Sequence, residues 1–339
     1  MRSNGDIDAV YAVAAGKFRR YHGEGLRQIL DVKTVGLNTR DMFRTVKGFF
    51  QSYRLLKKIK PDCIFVKGGF VGVPVGLAAA RLRIPFITHD SDAIPGLANR
   101  IIARWAVLHT VALPAEVYSY PKSKTLTVGV PVHANYQPIG KADRDTFRQE
   151  IGLGAYAKML FITGGGLGAQ RLNTAVEGIL PKLLENYPDL AVVQSVGRKN
   201  EVAINQRYGE LLTPEHKSRV VVEGYMTDMH RYSGAANIII TRAGATALAE
   251  FAIQQKACVV VPNPQLTAGH QLKNAEYLAV NGAVAIVRED KLVADLYPTL
   301  VDLLDSEEKQ VELGKKMAKF AVPDAAQRLA MVLLEQATR

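Results

Sequence analysis

The chain has 339 residues, enough for about two domains, and 48% of them are hydrophobic, so it is built to bury sizeable cores. Its two cysteines, Cys63 and Cys258, read as buried strand thiols in a reducing compartment, which argues against a disulfide framework; the first residues do not read as a signal peptide, and no apolar run approaches the ~20 residues of a membrane span. The net charge of +11 is uneven: residues 1–135 hold 20 Lys and Arg against 9 Asp and Glu, so all of the excess lies there and suits an anionic partner, whether nucleic acid, anionic lipid or a phosphorylated substrate.

In chain order, residues 62–67 read as a strand. The Gly-rich turn 68–72 follows, with Pro74 placed to start a helix through about Arg81. Residues 84–89 form the next strand, 90–95 a polar loop, 96–105 a helix, and 107–112 and 125–128 further strands. Residues 131–156 are less regular and charged, which marks an interdomain linker. The βα pattern then restarts. Residues 159–163 are a strand, Gly164-Gly-Gly-Leu-Gly168-Ala169 a glycine loop, and Leu172, Val176, Ile179 and Leu183 one apolar helix face. Strands continue at 190–194, 219–223, 237–240 and 258–261, and helices at 307–319 and 325–337 flank Pro323. Such alternation predicts two doubly wound, Rossmann-like α/β halves with parallel sheets and a cleft between them. Ligands of such sheets bind beyond the carboxyl ends of the strands, where loops 68–72, 89–95, 164–169, 241–246 and 262–271 fall.

The richest stretch is Ile238-Ile-Ile-Thr-Arg242-Ala-Gly244-Ala-Thr246-Ala-Leu-Ala-Glu250. A strand, a small-residue turn and a helix start aim backbone N–H groups and a helix dipole at one spot, which favours an anion. Glu250 would repel a phosphate but accepts hydrogen bonds from hydroxyls such as those of a ribose. Read alone, the loop is equally a chain turn followed by a solvated helix charge. The glycine loop at 164–169 suits a diphosphate. It is not a dinucleotide fingerprint, because the next strand ends Val193-Gln194-Ser195 without the acid that an adenosine ribose requires. His89, beside Asp90 and Asp92, is either part of a catalytic cluster or a hydrogen-bonded loop anchor. His270-Gln271, with Asn274 one turn on, starts a polar helix on the same side as Glu250. No His/Cys pattern at metal spacing and no nucleophile elbow occur. Lys17-Phe-Arg19-Arg20-Tyr21 mixes basic and aromatic residues, which fits a membrane interface as well as RNA, and no nucleic-acid motif accompanies it.

Lys67-Gly-Gly-Phe-Val-Gly-Val-Pro74, His89-Asp-Ser-Asp-Ala-Ile-Pro-Gly-Leu-Ala-Asn-Arg100, Val128-Gly-Val-Pro-Val132, Gly164-Gly-Gly-Leu-Gly-Ala169, Thr241-Arg-Ala-Gly-Ala245 and His270-Gln-Leu-Lys-Asn-Ala275 occur in that order. Together they resemble the MurG family of bacterial glycosyltransferases over nearly the whole chain. The resemblance implies a two-domain GT-B fold without cofactor or metal. It implies transfer of N-acetylglucosamine from UDP-N-acetylglucosamine to the undecaprenyl-linked lipid I, with inversion, giving lipid II for peptidoglycan, at the cytoplasmic face of the plasma membrane. It assigns residues 1–134 to an acceptor and membrane-associating domain, 135–322 to the donor domain, and 323–339 to a helix crossing back. By position, Gly166 meets the diphosphate where the family often has Ser. The Met226 backbone meets the uracil, Ala245, Thr246, Ala247, Leu248 and Ala249 offer helix-start backbone, Glu250 holds the ribose, and Gln271 binds the sugar hydroxyls. Asp92 stands at a donor-contacting Asn, and His133 where many members have Arg, which removes a fixed positive charge near the pyrophosphate.

The family opens with a Gly-Gly-Thr-Gly-Gly-His loop whose His is the proposed base, and this chain begins at what resembles the third strand, around residues 8–13. The first domain is therefore expected to be incomplete by more than the ~30 residues of a βαβ unit, through a late start codon or a partial gene. Its catalytic residue is unassigned, with His89 as a substitute candidate, and the chain as written is expected to be inactive. The other readings are a different GT-B lipid glycosyltransferase and a non-catalytic subunit that binds a UDP-sugar.

Overall fold

The computed structural model describes residues 7–17, 32–165, 169–264 and 269–338. The chain divides into two compact units, Met1–Val128 with Ala326–Arg339, and Gly129–Ala325.

The first unit contains α1 (Val32–Ile59), β1 (Ile64–Val66), α2 (Gly72–Leu82), β2 (Phe86–Asp90), α3 (Leu97–Ile102), β3 (Leu108–Val111) and β4 (Thr125–Thr127). The four strands are parallel and lie in sequence order, β1-β2-β3-β4. Leu56 of α1, Val66, Ala78, Ala79, Phe86 and Ile102 fill the core between helices and sheet. The 28-residue α1 has no counterpart in the sequence reading, because its turns mix charge with apolar residues on more than one face. Residues 8–13, expected as a strand, form neither strand nor helix. Their end is tied to α1 through side chains in place of a backbone ladder: Ala14 N–H donates to Gln51 Oε1 at 2.8 Å and Gly16 N–H to Thr45 Oγ1 at 3.2 Å. The approach is so close that a Cβ on Gly48 would lie 1.7 Å from the Ala14 carbonyl oxygen. Of the basic-aromatic run, residues 18–21 lie outside the described residues.

The second unit carries α4 (Lys141–Glu150), β5 (Lys158–Thr163), α5 (Gln170–Asn186), β6 (Leu190–Ser195), α6 (Glu201–Leu211), α7 (Pro214–Lys217), β7 (Val220–Glu223), α8 (Met229–Ala235), β8 (Ile238–Thr241), α9 (Ala245–Ile253), β9 (Ala257–Val260), α10 (His270–Val280), β10 (Ala285–Ile286), α11 (Leu292–Leu304) and α12 (Glu307–Ala318); α13 (Ala325–Thr338) follows. Six parallel strands run in the order β10-β9-β8-β5-β6-β7. Their unbroken apolar sequences reflect burial on both faces: Leu160, Ile162, Ile238 and Ile240 enter one core, and Met159, Phe161, Ile239 and Cys258 the other. Cys63, by contrast, is half-buried and precedes its strand.

The expected linker at 131–156 contains α4, which folds as part of the second unit. Its charge hid this: Arg148 is buried, with Nε donating to the Ala235 carbonyl at 2.9 Å, Nη1 to Ala157 at 2.7 Å, and Nη2 to Asn237 Oδ1. An arginine that satisfies three carbonyl-type oxygens, at the end of α8 and just before β5 and β8, reads from sequence as a surface charge.

Candidate functional site

Strand order makes the second sheet's site. From β5 the chain moves outward to β6 and β7, and from β8 in the opposite sense to β9 and β10. β5 and β8 are neighbours, with Thr163 in register with Thr241, so the loops leaving those two residues diverge and open a crevice at the carboxyl edge. Gly165 adopts φ +81°, where L side chains strain, and its N–H donates to Thr163 Oγ1 at 3.3 Å. Gly166 lies outside the described residues.

Across the crevice, Gly244 caps α9 without a side chain, and a Cβ there would meet nothing within 4 Å. The first turn of α9 carries Ala245, Thr246 and Ala247, and its N–H groups receive no side-chain cap from Gly244. Leu248 anchors the helix in the core that also holds Met226, Ala243 and Phe251. The turn itself is held by two interactions absent from the sequence reading. Arg242 is buried and donates through Nη1 to the Val261 carbonyl at 3.1 Å and through Nη2 to Glu289 Oε1 at 2.6 Å. The second oxygen of Glu289 accepts from Arg171 Nη1 at 3.0 Å, on the first turn of α5. One carboxylate thus ties the loop after β5 to the loop after β8. Nothing in the sequence marks Glu289 for that role.

Glu250 is half-buried after Ala249 on α9. Burial pushes its carboxyl up to about 7, opposed by a hydrogen bond from the Tyr136 hydroxyl. Tyr136 is the other residue that sequence reasoning missed. It sits in a tight turn in which its N–H donates to the His133 carbonyl at 3.1 Å and Asn135 N–H donates to His133 Nδ1 at 3.2 Å. His133 is exposed and shapes that turn. Gln271, on the first turn of α10, accepts from Asn263 N–H through Oε1 at 2.9 Å, which leaves its NH₂ as a donor. Asn274 donates to the Ala243 carbonyl at 3.0 Å and docks α10 on the same turn. Gln194, where a dinucleotide acid would stand, is buried between the Tyr208 hydroxyl at 2.6 Å and Asn173 at 3.2 Å, so it serves packing between α5 and α6.

His89 and Asp92 belong to the first unit. His89 is fully buried at the end of β2; Nδ1 is bonded to Thr110 Oγ1 and Nε2 to Ser91 Oγ, each at 3.1 Å. Burial, helped by the positive charge of Lys67, lowers its imidazole to about 4. Both nitrogens are engaged and the ring is neutral at physiological pH, the geometry of a loop anchor more than of a base that accepts a proton. Beside it Asp90 accepts from Gly96 N–H at 2.8 Å, Asn99 Nδ2 at 3.0 Å and the Tyr120 hydroxyl at 2.8 Å. Asp92 is half-buried on the loop that this network holds. Among the described residues no group of three His, Cys, Asp or Glu side chains is placed to hold a metal ion.

Residues 159–329 match the glycosyltransferase family 28 C-terminal domain, and residues 18–108 its N-terminal domain. The chain belongs to glycosyltransferase family 28. Within family 28 it is 33% identical to a protein of Caldicellulosiruptor saccharolyticus, over 94% of this chain and 84% of that one. It is also 33% identical to one of Salinibacter ruber, over 92% and 82%. Both are named UDP-N-acetylglucosamine–N-acetylmuramyl-(pentapeptide) pyrophosphoryl-undecaprenol N-acetylglucosamine transferase. Among solved structures it is similar to Acinetobacter baumannii MurG, with TM-score 0.67 and 27% identity over 86% of this chain and 80% of that chain. The calicheamicin glycosyltransferase CalG4, with TM-score 0.60 and 15% identity over 95% and 85%, shares the fold alone. Family 28 membership and these neighbours make the two parallel-sheet units a GT-B fold.

Proposed function

We propose that this chain transfers N-acetylglucosamine from UDP-N-acetylglucosamine to lipid I, undecaprenyl-pyrophosphoryl-N-acetylmuramyl-pentapeptide, with inversion at the sugar carbon, and so forms lipid II. The shared name of its family 28 relatives supports the reaction. The observation that carries the donor half is Glu250, a half-buried carboxylate on a helix whose start lacks a side-chain cap, at the switch point of the second sheet. In this reading the diphosphate takes the N–H groups of the 164–169 loop and of Ala245, Thr246 and Ala247. The ribose diol takes Glu250, the uracil lies against backbone at Met226, and the Gln271 NH₂ meets sugar hydroxyls. As the glycosidic oxygen leaves with UDP, negative charge grows on the diphosphate. N–H dipoles at the start of α9 stabilise that charge, which is where catalysis gains most. Asp92 is the first unit's candidate for a donor-sugar hydroxyl, and His89 positions its loop. Radiolabelled UDP-N-acetylglucosamine offered with lipid I and with diacylglycerol tests the acceptor. The chain, and the chain extended by any in-frame upstream segment, are assayed in parallel. Label in the lipid I product is expected. Label in diacylglycerol, or in neither acceptor with either form, would overturn the assignment.

The same reading places the first unit at an anionic membrane surface, peripherally. No helix among the described residues is long and apolar enough to cross a membrane. On α1, however, Phe43 (68% exposed), Val46 (50%) and Phe50 (57%) share one exposed face at i, i+3 and i+7. Lys47, Arg54 and Lys57 fall on that face at i+4, i+11 and i+14, all exposed. An apolar stripe among basic side chains lies in a headgroup interface, its aromatic rings buried and its cations on anionic lipid. Phe43→Glu with Phe50→Glu is expected to lower binding to phosphatidylglycerol vesicles by roughly tenfold or more, since each phenylalanine forfeits about 1.5–3 kcal/mol of burial. Co-sedimentation at low and high salt measures it. Unchanged binding by the double variant would move the contact elsewhere.

A further inference from the structure

Glu289 stands in the turn after β10, and its side chain is 3% exposed. Its two oxygens serve different elements. Oε1 accepts from Arg242 Nη2 at 2.6 Å in the turn after β8, and Oε2 accepts from Arg171 Nη1 at 3.0 Å on the first turn of α5. Both ends of this bridge rest on packed backbone. Leu172, next to Arg171, and Leu292, at the start of α11, lie in the same core. Arg242 is fixed a second time by its bond to the Val261 carbonyl. The neighbouring Arg288 and Asp290 pair with each other in solvent at 3.2 Å, outside the bridge. In stability, a buried ion pair is often worth no more than well-packed apolar side chains of similar volume. What this one adds is direction, since each hydrogen bond fixes an angle as well as a distance. The two helices that it joins, α5 and α9, both start without a side-chain cap, at Ala169 and Gly244. Two guanidinium groups against one carboxylate also leave a positive surplus beside them.

We propose that Glu289 is a positioning residue for the donor diphosphate: it sets the separation between the start of α5, where the glycine loop ends, and the start of α9. The inference rests on the reading of those two places as the diphosphate cradle. Donors that act together on one anion must be held to within about 0.5 Å of the productive geometry. The register of Thr163 with Thr241 fixes the base of the gap, and the loops diverge beyond it. Glu289 spans the gap again above the sheet edge, through Arg171 on one side and Arg242 on the other. Leu248 and Phe251 anchor the body of α9 in the core, so loss of the bridge shifts the turn and leaves the helix that carries Glu250 in place. The uridine half of the donor should therefore be indifferent to Glu289. Charge by itself predicts the opposite sign for the diphosphate. Removing the carboxylate enlarges the positive surplus beside an anion, and a purely electrostatic role would tighten its binding.

The test compares UDP with uridine, which keeps the base and the ribose and lacks the diphosphate. Affinities of the full chain are measured by calorimetry for UDP and by ligand-observed NMR titration for uridine. The wild type, Glu289→Gln and Glu289→Asp are compared. Glutamine keeps one acceptor and loses both the charge and the second acceptor. Aspartate keeps the charge and is one methylene too short to reach both arginines. UDP affinity should fall roughly tenfold in Glu289→Gln and about threefold in Glu289→Asp, with uridine affinity unchanged in both. Tighter UDP binding in Glu289→Gln would reduce Glu289 to a charge and overturn the proposal. Equal losses for UDP and uridine would also overturn it, since they would mark a disturbed domain in place of a displaced cradle. So would an unchanged affinity for UDP. A wild type that binds uridine as tightly as UDP would instead overturn the diphosphate reading beneath the proposal. If Glu289→Gln fails to fold, Glu289→Asp decides: wild-type affinity for UDP in that variant overturns the positioning role.

Discussion

Replacing Glu250 with alanine is expected to weaken UDP-N-acetylglucosamine binding by about 2 kcal/mol, roughly thirtyfold. Two ribose hydroxyls would lose a charged acceptor in a half-buried position, where water returns to the site incompletely. The loss should be confined to ribonucleotides: a dideoxyribose analogue of UDP should bind the variant and the wild type alike. That comparison separates a lost contact from a disturbed helix, since a distorted α9 would weaken both ligands. Unchanged affinity in Glu250→Ala would remove the residue from the site.

Asp90→Ala is expected to destabilise the protein by about 3 kcal/mol, because three donors would be left without their acceptor in a buried place. These are Gly96 N–H, Asn99 Nδ2 and the Tyr120 hydroxyl. Tyr120 is also stacked on His109, with centroids 3.9 Å apart, and His109 Nδ1 bonds Thr88 Oγ1 at 2.7 Å, so the loss reaches β2 and β3 together. Burial raises the Asp90 carboxyl above its ordinary value, only partly opposed by those donors. The sign follows. A raised folded-state value means that its stabilising contribution is fullest below the unfolded value and fades as pH rises through the folded one. Asp90→Asn, which keeps an acceptor oxygen and carries no charge, should therefore be much milder than alanine at neutral pH. Thermal unfolding of both variants across pH measures the difference. An Asp90→Ala protein as stable as the wild type would show that the network does not hold the loop carrying Asp92.

What the sequence disclosed of the fold was mostly what hydrophobic period discloses. The strands through Leu160, Val192, Ile239 and Val259 were legible because parallel strands buried on both faces read as unbroken apolar runs. Strand β10 was not, being two half-buried residues long. Residues 8–13 were expected as a strand from the family resemblance, yet a strand exists only where a ladder partner is at hand, and α1 supplies side-chain acceptors to the residues that follow instead. The uncapped start of α9 and the position of Glu250 were legible because each is local, a turn and one helix. Glu289 was not legible, because its partners Arg171 and Arg242 lie far away in sequence. His89 was equally readable as a base or as an anchor from its neighbours alone, because neither its burial nor the engagement of both its nitrogens is visible in the sequence.

The most direct measurement is calorimetric titration of the 339-residue chain with UDP-N-acetylglucosamine, with ADP-glucose as the control donor. The expected result is saturable binding of one UDP-sugar per chain, displaced by UDP, weakened by Glu250→Ala and not reproduced by ADP-glucose. Absence of UDP-sugar binding, or equal binding of both nucleotides, would contradict the donor site assigned to the second unit.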